Sequence, residues 1–574
     1  MTHIPGIYIE EAPDERRGGY ASFIETRCLT GFVGFAEQGP AHTPVLLTSF
    51  GEYSRVFGGF DTRGTLPFSV YHYFLCGGTE CVVTRIVAEA RAARACITLK
   101  CSAGGAITLE AKTLGAWGNT IRAQVWHDGI ALVPRAVDTR HCCAVTLADT
   151  SCLLPNDILR ITVAGRRIFR RVTRIAEDVA YLNVPLGLLR SVDDPVRDIT
   201  VELAVFSLRL SRKGGKTERY CRLSMNPASA AYYRSVINVR SELCVAHPRF
   251  PRGMVRPVFS RSGAGGSDGL AYITAQDFIG HYHSRDDCRG LAAFESRDDV
   301  ALIAAPDAGR FDEPRLREIH AAMLNQAERF PARFALLDIP GDWEYARLCA
   351  YLDGFDSAHA AAYYPDLDIS DPRDPSRGRS TRIPPSGAVA GLIARTDATK
   401  GIFQAAANLP LPAATGVSKR ITDAEYETLY SRGLNLIKHF PGRGVKLWGA
   451  RTLSRDPSWR YINARRAFDA IREGLKRGMQ WAVFEVNDRN LRKRLTRQVS
   501  GFLLDLWMTG YLTGNTAEQG FFTRCDDELN PPEALDSGMI SIEVGLAISR
   551  PMEFLKITLT TEREGSRVRT READ

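Results

Sequence analysis

The stretch from about Gly269 to Arg395 constrains the fold most, because buried strands and amphipathic helices alternate along it. Residues 299–307 (DVALIAAPD) and 334–340 (FALLDIP) are short apolar runs, typical of strands covered on both faces. Between them, residues 314–330 (PRLREIHAAMLNQAERF) repeat apolar positions at helical spacing. A strand, a helix and a second strand in this order predict a mostly parallel sheet with helices on its faces.

The rest of the chain has other patterns, and its 574 residues exceed what one hydrophobic core normally holds. From about residue 94 to 248, short alternating runs separated by turns predict a β-rich module. We therefore expect a multidomain protein of mixed α/β and α+β class. The predicted segments are an N-terminal strand arm (1–25), the N-terminal part of the α/β core (26–93), a β-rich outer domain (94–248), a central α/β domain (249–440), an α+β C-terminal domain (441–548), and a C-terminal strand arm with a tail (549–574).

The C-terminal elements are predicted from caps and periodicity. Asp456 and Pro457 fit the N-cap and the first position of a helix. A strand is expected at 480–486 (QWAVFEV), then a helix from about Asp488 to Met508. The apolar stripe of that helix consists of Leu491, Leu495, Val499, Phe502 and Leu506. The remaining expectations are an exposed loop at 369–385, strands at 539–548 (MISIEVGLAI) and 553–560 (EFLKITLT), and a charged tail.

Composition places the chain among ordinary globular proteins. Its net charge of +8 is small beside 140 charged side chains (74 basic and 66 acidic), so a mixed-sign surface is expected rather than a nucleic-acid partner. The 13 cysteines show no zinc-binding spacing, which favours free thiols in a reducing cytoplasm. The sequence shows no signal-peptide pattern and no run of about 18 apolar residues, so we expect synthesis in the cytoplasm and no membrane insertion.

Three short patterns resemble catalytic or ligand sites. Ser267 lies in a G-x-S-x-G sequence, but a flexible glycine run precedes it where a nucleophile elbow needs a strand. The sequence 214–217 (GGKT) resembles the end of a phosphate-binding loop, yet Leu210 occupies the position of its first glycine. His281 and His283 share a strand face without a third ligand at a suitable spacing. We therefore predict no catalytic residues, no cofactor-binding residues and no metal ligands.

Residues 445–466 (VKLWGARTLSRDPSWRYINARR) collect tryptophans, arginines and a Ser-Arg-Asp cluster on a turn. Such a group of polar and aromatic residues is typical of a binding or catalytic loop. The three short patterns above supply no catalytic set for such a loop.

Several long, separated stretches resemble contractile phage tail sheath proteins, in the same order along the chain. The resemblance covers nearly the whole sequence and is weakest between about 135 and 218. The matching stretches are 4–11 (IPGIYIEE), 30–59, 111–125 (AKTLGAWGNTIRAQV), 265–280 (GGSDGLAYITAQDFIG), 299–307, 384–408 (PPSGAVAGLIARTDATKGIFQAAAN), 448–466, 480–488 and 537–557.

The resemblance implies a structural subunit and not an enzyme, and it makes residues 445–466 a structural corner of a C-terminal assembly domain, in which the tryptophans and arginines orient two helices. Subunits of this family stack as rings, expected to be hexameric, around an inner tube, and contraction of the sleeve drives the tube through a target envelope. The family's central domain is described as subtilisin-like in fold, which does not carry activity with it. Implied partners are other copies of the chain, the tube protein, and baseplate and terminal cap proteins of a phage tail, tailocin or extracellular injection system. The alternatives are a serine hydrolase using Ser267 and a static tail or baseplate scaffold.

The resemblance also implies strand exchange between subunits. Short half-apolar strands at both chain ends would each gain backbone partners by adding to a neighbour's sheet edge. The alternative is that each arm folds back onto its own domain. The predicted arm residues are Ile7, Tyr8, Ile9, Phe554, Leu555, Ile557 and Leu559, and the predicted acceptor sheet contains Ile540, Ile542 and Val544.

A contact with the inner tube is expected on the helix near residues 488–508. Arg489, Lys493 and Arg497 follow each other at intervals of four, roughly opposite the apolar stripe. From the sequence alone, a solvated basic face is the more common interpretation. The resemblance favours a contact, because this domain lines the sheath lumen in the family.

Overall fold

The computed structural model describes residues 28–137, 143–163, 165–186, 199–212, 214–249, 251–284, 287–330, 332–374, 376, 378–533, 537–553, 557–562 and 565–570. They form two compact units. The first unit contains the described residues up to Ala36, His42–Ile86 and those from Thr274 onward. The second unit contains Glu37–Ala41 and Val87–Ile273.

The first unit opens with a strand that is buried along its whole length. This strand, β1 (Leu29–Gly34), pairs in parallel with β3 (Cys81–Arg85). The short strand β2 (Val45–Leu47) pairs with β3 in antiparallel orientation. Ser49 caps the first helix by accepting a hydrogen bond from the Glu52 backbone N–H at 3.2 Å. The elements are β1 (Leu29–Gly34), β2 (Val45–Leu47), α1 (Phe50–Phe57), α2 (Leu66–Leu75) and β3 (Cys81–Arg85).

The second unit is β-rich, as its alternating sequence predicts. One large antiparallel sheet has the order β15-β6-β12-β9-β10-β11-β8-β7, with β13 also paired to β12, and a smaller sheet has the order β14-β5-β4. Two hydrophobic clusters fill the unit. The elements are β4 (Cys96–Lys100), β5 (Ala106–Ala111), β6 (Ile121–Leu132), β7 (Pro134–Val137), β8 (Ala144–Leu147), β9 (Ile158–Val163), β10 (Arg166–Ala176), β11 (Val179–Leu182), β12 (Ile199–Arg212), β13 (Thr217–Leu223), α3 (Tyr233–Arg240), β14 (Cys244–Arg249) and β15 (Val258–Ser262).

The middle of the chain completes the main sheet of the first unit. Its elements are α4 (Ala275–Ile279), β16 (Val300–Ala304), α5 (Glu313–Arg329), β17 (Phe334–Asp338), α6 (Tyr345–Leu352), β18 (Ala360–Tyr364), β19 (Leu367–Ser370), β20 (Ser380–Ile383), α7 (Ser386–Lys400), β21 (Leu409–Pro410), β22 (Ala414–Val417), α8 (Asp423–Ser431), β23 (Leu434–Phe440) and β24 (Gly444–Trp448). Nine strands follow the order β2-β3-β1-β16-β17-β18-β23-β24-β21.

The centre of this sheet is parallel, from β3 through β1, β16, β17 and β18 to β23. The parallel α/β arrangement predicted for this region is confirmed, including the long helix α5 between β16 and β17. Helices α2 and α7 pack closely because Gly387 and Gly391 have no side chain. A Cβ at either position would collide with the α2 backbone at Ser69 or Tyr73.

Two long helices and two small strand pairs form the C-terminal part. Phe521 and buried residues of both helices belong to one hydrophobic cluster, and Val544 packs against it. The elements are α9 (Ile462–Gly478), α10 (Arg489–Met508), α11 (Ala517–Gly520), β25 (Phe521–Arg524), β26 (Glu543–Leu546), β27 (Ile557–Glu562) and β28 (Gly565–Thr570). Strands β25 and β26 pair in antiparallel orientation, as do β27 and β28. Among the described residues, no helix is both long and apolar enough to span a bilayer.

Several predictions for local structure are wrong. The segment 480–486 is a 3₁₀ turn at Gln480–Ala482 followed by a loop, because Phe484 adopts φ of +72°, which a strand does not allow. The strand predicted at 539–548 is limited to β26. In the region predicted as a charged tail, β28 pairs with β27.

Two further boundaries differ from the prediction. The predicted loop at 369–385 begins and ends in strands β19 and β20, where Ile369 and Ile383 are buried. Asp456 does act as a cap, with its side chain accepting from the Ser458 N–H at 2.8 Å. It caps the 3₁₀ turn Pro457–Trp459, and the long helix α9 begins only at Ile462.

Candidate functional site

Two arginines of the tryptophan- and arginine-rich corner at 445–466, Arg465 and Arg466, form buried ion pairs. Arg465 lies 2.6 Å from Asp469, and both side chains are 2% exposed. The Arg465 guanidinium also lies over the Trp459 ring, 4.4 Å from its centroid. The Arg465 side chain therefore makes its contacts inside the protein and holds the start of α9 in place, which agrees with a structural corner.

A second buried pair joins α9 to α7. Arg466 donates two hydrogen bonds to Asp397, at 3.1 and 2.6 Å, and the two side chains are 8% and 1% exposed. Burial alone would lower the pKa of Arg466, but the Asp397 carboxylate raises it above its ordinary value. The arginine therefore stays charged and fixes the C-terminal helices to the main-sheet domain.

Helix α10 has the two faces that its sequence predicts. Its apolar stripe (Leu491, Leu495, Val499, Phe502 and Leu506) is buried. Arg489, Lys493 and Arg497 are exposed, and none of them forms an ion pair with another described residue. Their neighbours Arg492 and Arg494 do pair, with Asp527 at 2.7 Å and Glu485 at 3.6 Å. The predicted basic row is therefore exposed within the described part of the chain.

The loop before α10 carries an apolar surface that the sequence reasoning missed. Phe484 is 87% exposed and Val486 is 79% exposed. The loop is fixed to α10, since the Trp481 indole N–H donates to Gln498 at 2.7 Å and the Arg494 guanidinium lies 4.4 Å from the Trp481 ring centroid. A short apolar run without a partner strand, directly before the Asp488 cap, is the signal that could have identified it.

The predicted acceptor residues lie in or next to the small sheet of β25 and β26. Val544 is in β26 opposite Thr523, whereas Ile540 and Ile542 precede the strand. All three side chains are half-buried. Within the described residues this sheet has only two strands, a number that is marginally stable alone, and the outer edge of each strand has no strand partner there.

The C-terminal strand is anchored at its base. Arg451 donates to Glu553 at 3.0 Å, the Tyr430 hydroxyl donates to the same carboxylate at 2.5 Å, and the arginine and glutamate side chains are 12% and 11% exposed. Burial alone would raise the pKa of Glu553, but these hydrogen bonds lower it below its usual value. Of the predicted arm residues, Ile557 and Leu559 lie in β27, opposite Thr570 and Val568 of β28. Ile7, Tyr8, Ile9, Phe554 and Leu555 lie outside the described residues.

The patterns considered for catalysis have structural contacts. The Ser267 hydroxyl accepts a hydrogen bond from the Gly269 N–H at 3.1 Å and so closes a turn. This turn leads into a short 3₁₀ turn rather than the long helix of a nucleophile elbow. Lys216, in the phosphate-loop-like sequence, pairs with Glu242 at 2.7 Å on the surface.

His281 and His283 have a third potential ligand that sequence spacing did not reveal. Asp287 lies across a turn from them, and the candidate ligand atoms of the three residues are all within 4.8 Å of one another. The expectation that no third residue could join the two histidines is therefore wrong.

Two protein-family models match the part of the chain that forms these domains. The model of the phage tail sheath protein central domain matches residues 271–453, and the model of the phage tail sheath C-terminal domain matches residues 454–562. Together the two contiguous matches cover just over half of the chain. The chain belongs to the phage tail sheath family.

Individual sheath proteins agree with this assignment. The chain is 27% identical over 226 residues to a prophage major tail sheath protein of Pseudomonas aeruginosa, an alignment that covers 39% of this chain and 56% of the relative. The match thus spans little more than half of that relative's length.

Two solved structures share the fold. The helical sheath of the anti-feeding prophage in its contracted state has a TM-score of 0.51 at 20% identity, covering 98% of this chain and 100% of that one. The sheath tail protein of Desulfitobacterium hafniense has a TM-score of 0.53 at 13% identity, covering 91% and 94%.

Proposed function

We propose that this chain is the subunit of a helical contractile sleeve that surrounds an inner tube and drives it through a target cell envelope. The observation that carries the proposal is the match of both sheath-family domains, in order, over residues 271–562. The fold similarity to a contracted helical sheath over 98% of the chain supports it. The particle would be a phage tail, tailocin or related injection system, with baseplate, cap and tube proteins as partners and stacked, hexameric rings as the arrangement.

The proposed role is structural and not enzymatic. Arg465 and Arg466 of the 445–466 corner bind buried aspartates, and Ser267 closes a turn. A subtilisin-like relationship of the central domain remains part of the proposal, supported by its largely parallel sheet with helices on its faces. Such a relationship concerns the fold, because catalysis depends on side chains at a site.

Electron microscopy of the purified, full-length chain tests this function directly. We expect rings or tubes, because a sheath subunit has its own copies as its main partners. A discrete particle that hydrolyses esters would contradict the proposal in favour of an enzyme, and a rigid assembly that never shortens would favour a static scaffold.

We propose that the six segments defined from the sequence divide the chain, with 26–93 completing the α/β core of the central domain, and that the terminal strands are exchanged between subunits. The open edges of the β25–β26 sheet support an acceptor role for the region of Ile540, Ile542 and Val544. Strand β27 has one neighbour within the described residues, so its other edge is open to a second copy.

A truncation can test strand exchange without damaging the fold. Residues 549–553 are held by the domain, through the Ser549 hydroxyl on Gly510 and the Glu553–Arg451 pair. The chain should therefore end after Glu553. We expect this variant to fold and to remain unassembled by microscopy, and tubes of normal length would contradict strand exchange.

We further propose that Arg489, Lys493 and Arg497 contact the inner tube. These three cations of α10 are exposed, and none of them forms an ion pair with another described residue. An exposed ion pair contributes only about 0.2–1 kcal/mol. Many weak contacts could therefore hold a tube in register and still release it during contraction.

Charge reversal tests the tube contact. Lys493→Glu with Arg497→Glu should preserve folding and sheath-sheath contacts but abolish ordered assembly around the tube, measured as tube-filled sheaths by microscopy. The matched control is Arg166→Glu with Arg167→Glu, two exposed arginines of β10 in the other unit. Full-length, tube-filled sheaths from the α10 variant would place the contact elsewhere.

A further inference from the structure

A short hairpin after α4 brings together three metal-ligating side chains. The His283 N–H donates to the Asp287 carbonyl at 3.0 Å, and the Arg289 N–H donates to the His281 carbonyl at 2.9 Å. This pairing puts Asp287 opposite His283. His281 and His283 are two residues apart on one strand, so their side chains share a face.

The side chains on this face are close enough to share an ion. The ring centroids of His281 and His283 are 4.8 Å apart, and His281 Nε2 lies 3.2 Å from Asp287 Oδ1. Ligands bound to Zn²⁺ at about 2.0–2.2 Å in a tetrahedral arrangement lie roughly 3.4 Å from each other. The His281–Asp287 distance already fits, and the exposed side chain of His283 can adjust by rotation.

We propose that His281, His283 and Asp287 form a binding site for a divalent transition-metal ion of the zinc class. Two imidazoles and one carboxylate suit Zn²⁺ and its neighbours, whereas Mg²⁺ and Ca²⁺ require mainly oxygen ligands. Three protein ligands leave the rest of the coordination shell to water. The bound ion would replace a weak surface contact between His281 and Asp287 with three bonds, and so fix the hairpin.

A guanidinium lies close to the proposed metal site. Arg289 Nε lies 4.0 Å from Asp287 Oδ1, farther than His281 Nε2. A metal ion and this guanidinium can share the carboxylate, because its two oxygens offer about four lone-pair sites. The site is the only group of at least three such ligands in the described part of the chain.

The chain also offers a matched control. His247 Nε2 lies 3.2 Å from Glu110 Oε2, the same distance as in the His281–Asp287 pair, and its side chain is similarly exposed (47% against 41%). It belongs to no three-ligand group among the described residues. A histidine-carboxylate pair alone should not hold the ion.

Zinc binding by the full-length chain tests the proposal. The parent should carry Cys152→Ser and Cys221→Ser, because these exposed thiols would also bind zinc. After metal removal, Zn²⁺ is titrated near neutral pH against a chromophoric chelator. Three variants of this parent are compared with it and with the control His247→Ala: His281→Ala, His283→Ala and Asp287→Ala.

We expect each of the three variants to lose one equivalent of zinc, or to bind it at least about tenfold more weakly, since even the loss of a residue that only supports a ligand weakens metal sites by 10–100-fold. The control should bind like the parent. Unchanged binding in any one of the three variants, or an equal loss in the control, would overturn the site.

Discussion

The buried pair of Arg466 and Asp397 allows a quantitative test of how α9 is fixed to α7. Arg466→Met keeps most of the side-chain length but removes the charge and both hydrogen bonds to Asp397. The carboxylate, 1% exposed in the parent, is then left buried without its partner.

The expected loss follows from this burial. Removing one member of a buried ion pair costs about 3–5 kcal/mol, because the remaining charge is uncompensated. Replacing both members with apolar side chains, as in Arg466→Met with Asp397→Leu, should be neutral or stabilising. The double variant should therefore recover most of the stability that the single variant loses.

The surface pair of Arg432 and Asp353 provides the control. It has a similar length, 2.9 Å, but its side chains are 33% and 56% exposed. Such a pair contributes at most about 1 kcal/mol, so Arg432→Met should change stability little.

Hydrogen exchange of the α7 and α9 amides measures the free energy of local opening in this multidomain chain. We expect a decrease of about 3–5 kcal/mol for Arg466→Met. A decrease below about 1 kcal/mol, or a double variant as unstable as the single one, would refute the reasoning.

Three further perturbations have distinct expected outcomes. Burial raises the pKa of Asp338 to about 7, so its contribution to stability is complete below its unfolded pKa of about 3.9 and is lost as the pH rises towards 7. Asp338→Asn retains the oxygen that accepts from the Ser386 N–H. In urea unfolding, the free energy of unfolding of the parent should fall with pH by up to about 1.4 kcal/mol per pH unit between these two pKa values, and the variant should lack this slope. An unchanged slope in the variant contradicts the assignment. Phe484→Gly relieves a positive φ at an exposed side chain. Thermal unfolding should therefore show a stability that is unchanged or raised by up to about 1 kcal/mol and higher than that of Phe484→Ala. A clear loss of stability would show that the ring is packed. Ser267→Ala should assemble normally and lose about 0.5–1.5 kcal/mol with its turn hydrogen bond; ester hydrolysis by the parent that disappears in this variant would show that the serine is catalytic.

Sequence patterns are sufficient where structure follows from local burial. The parallel strands β16 and β17 are buried on both faces, and such strands consist of continuous apolar runs. Helix α10 needs one apolar stripe and a cap, and Asp488 accepts from the Leu491 N–H at 2.7 Å as a cap should. These elements are therefore readable from the chain.

Other features depend on partners that are distant in the sequence. Asp397 is 69 residues from Arg466, and Glu553 is 102 residues from Arg451, so no local pattern connects them. The segment 480–486 has strand-forming residues, but a strand requires a paired neighbour, and a 3₁₀ turn with a positive φ at Phe484 occurs instead. At the histidine hairpin, the backbone turn brings Asp287 into place, which spacing along one strand could not show.

The anchored base of the C-terminal strand limits how far that strand can travel. Glu553 is fixed by Arg451 and Tyr430, and β27 begins four residues later at Ile557. Four fully extended residues span at most about 14 Å. The start of β27 is therefore confined to a sphere of that radius around Glu553. If β27 stays on a neighbouring subunit during the proposed contraction, its start cannot move farther than this from Glu553. The two subunits must then move relative to each other mainly by rotating about this short tether.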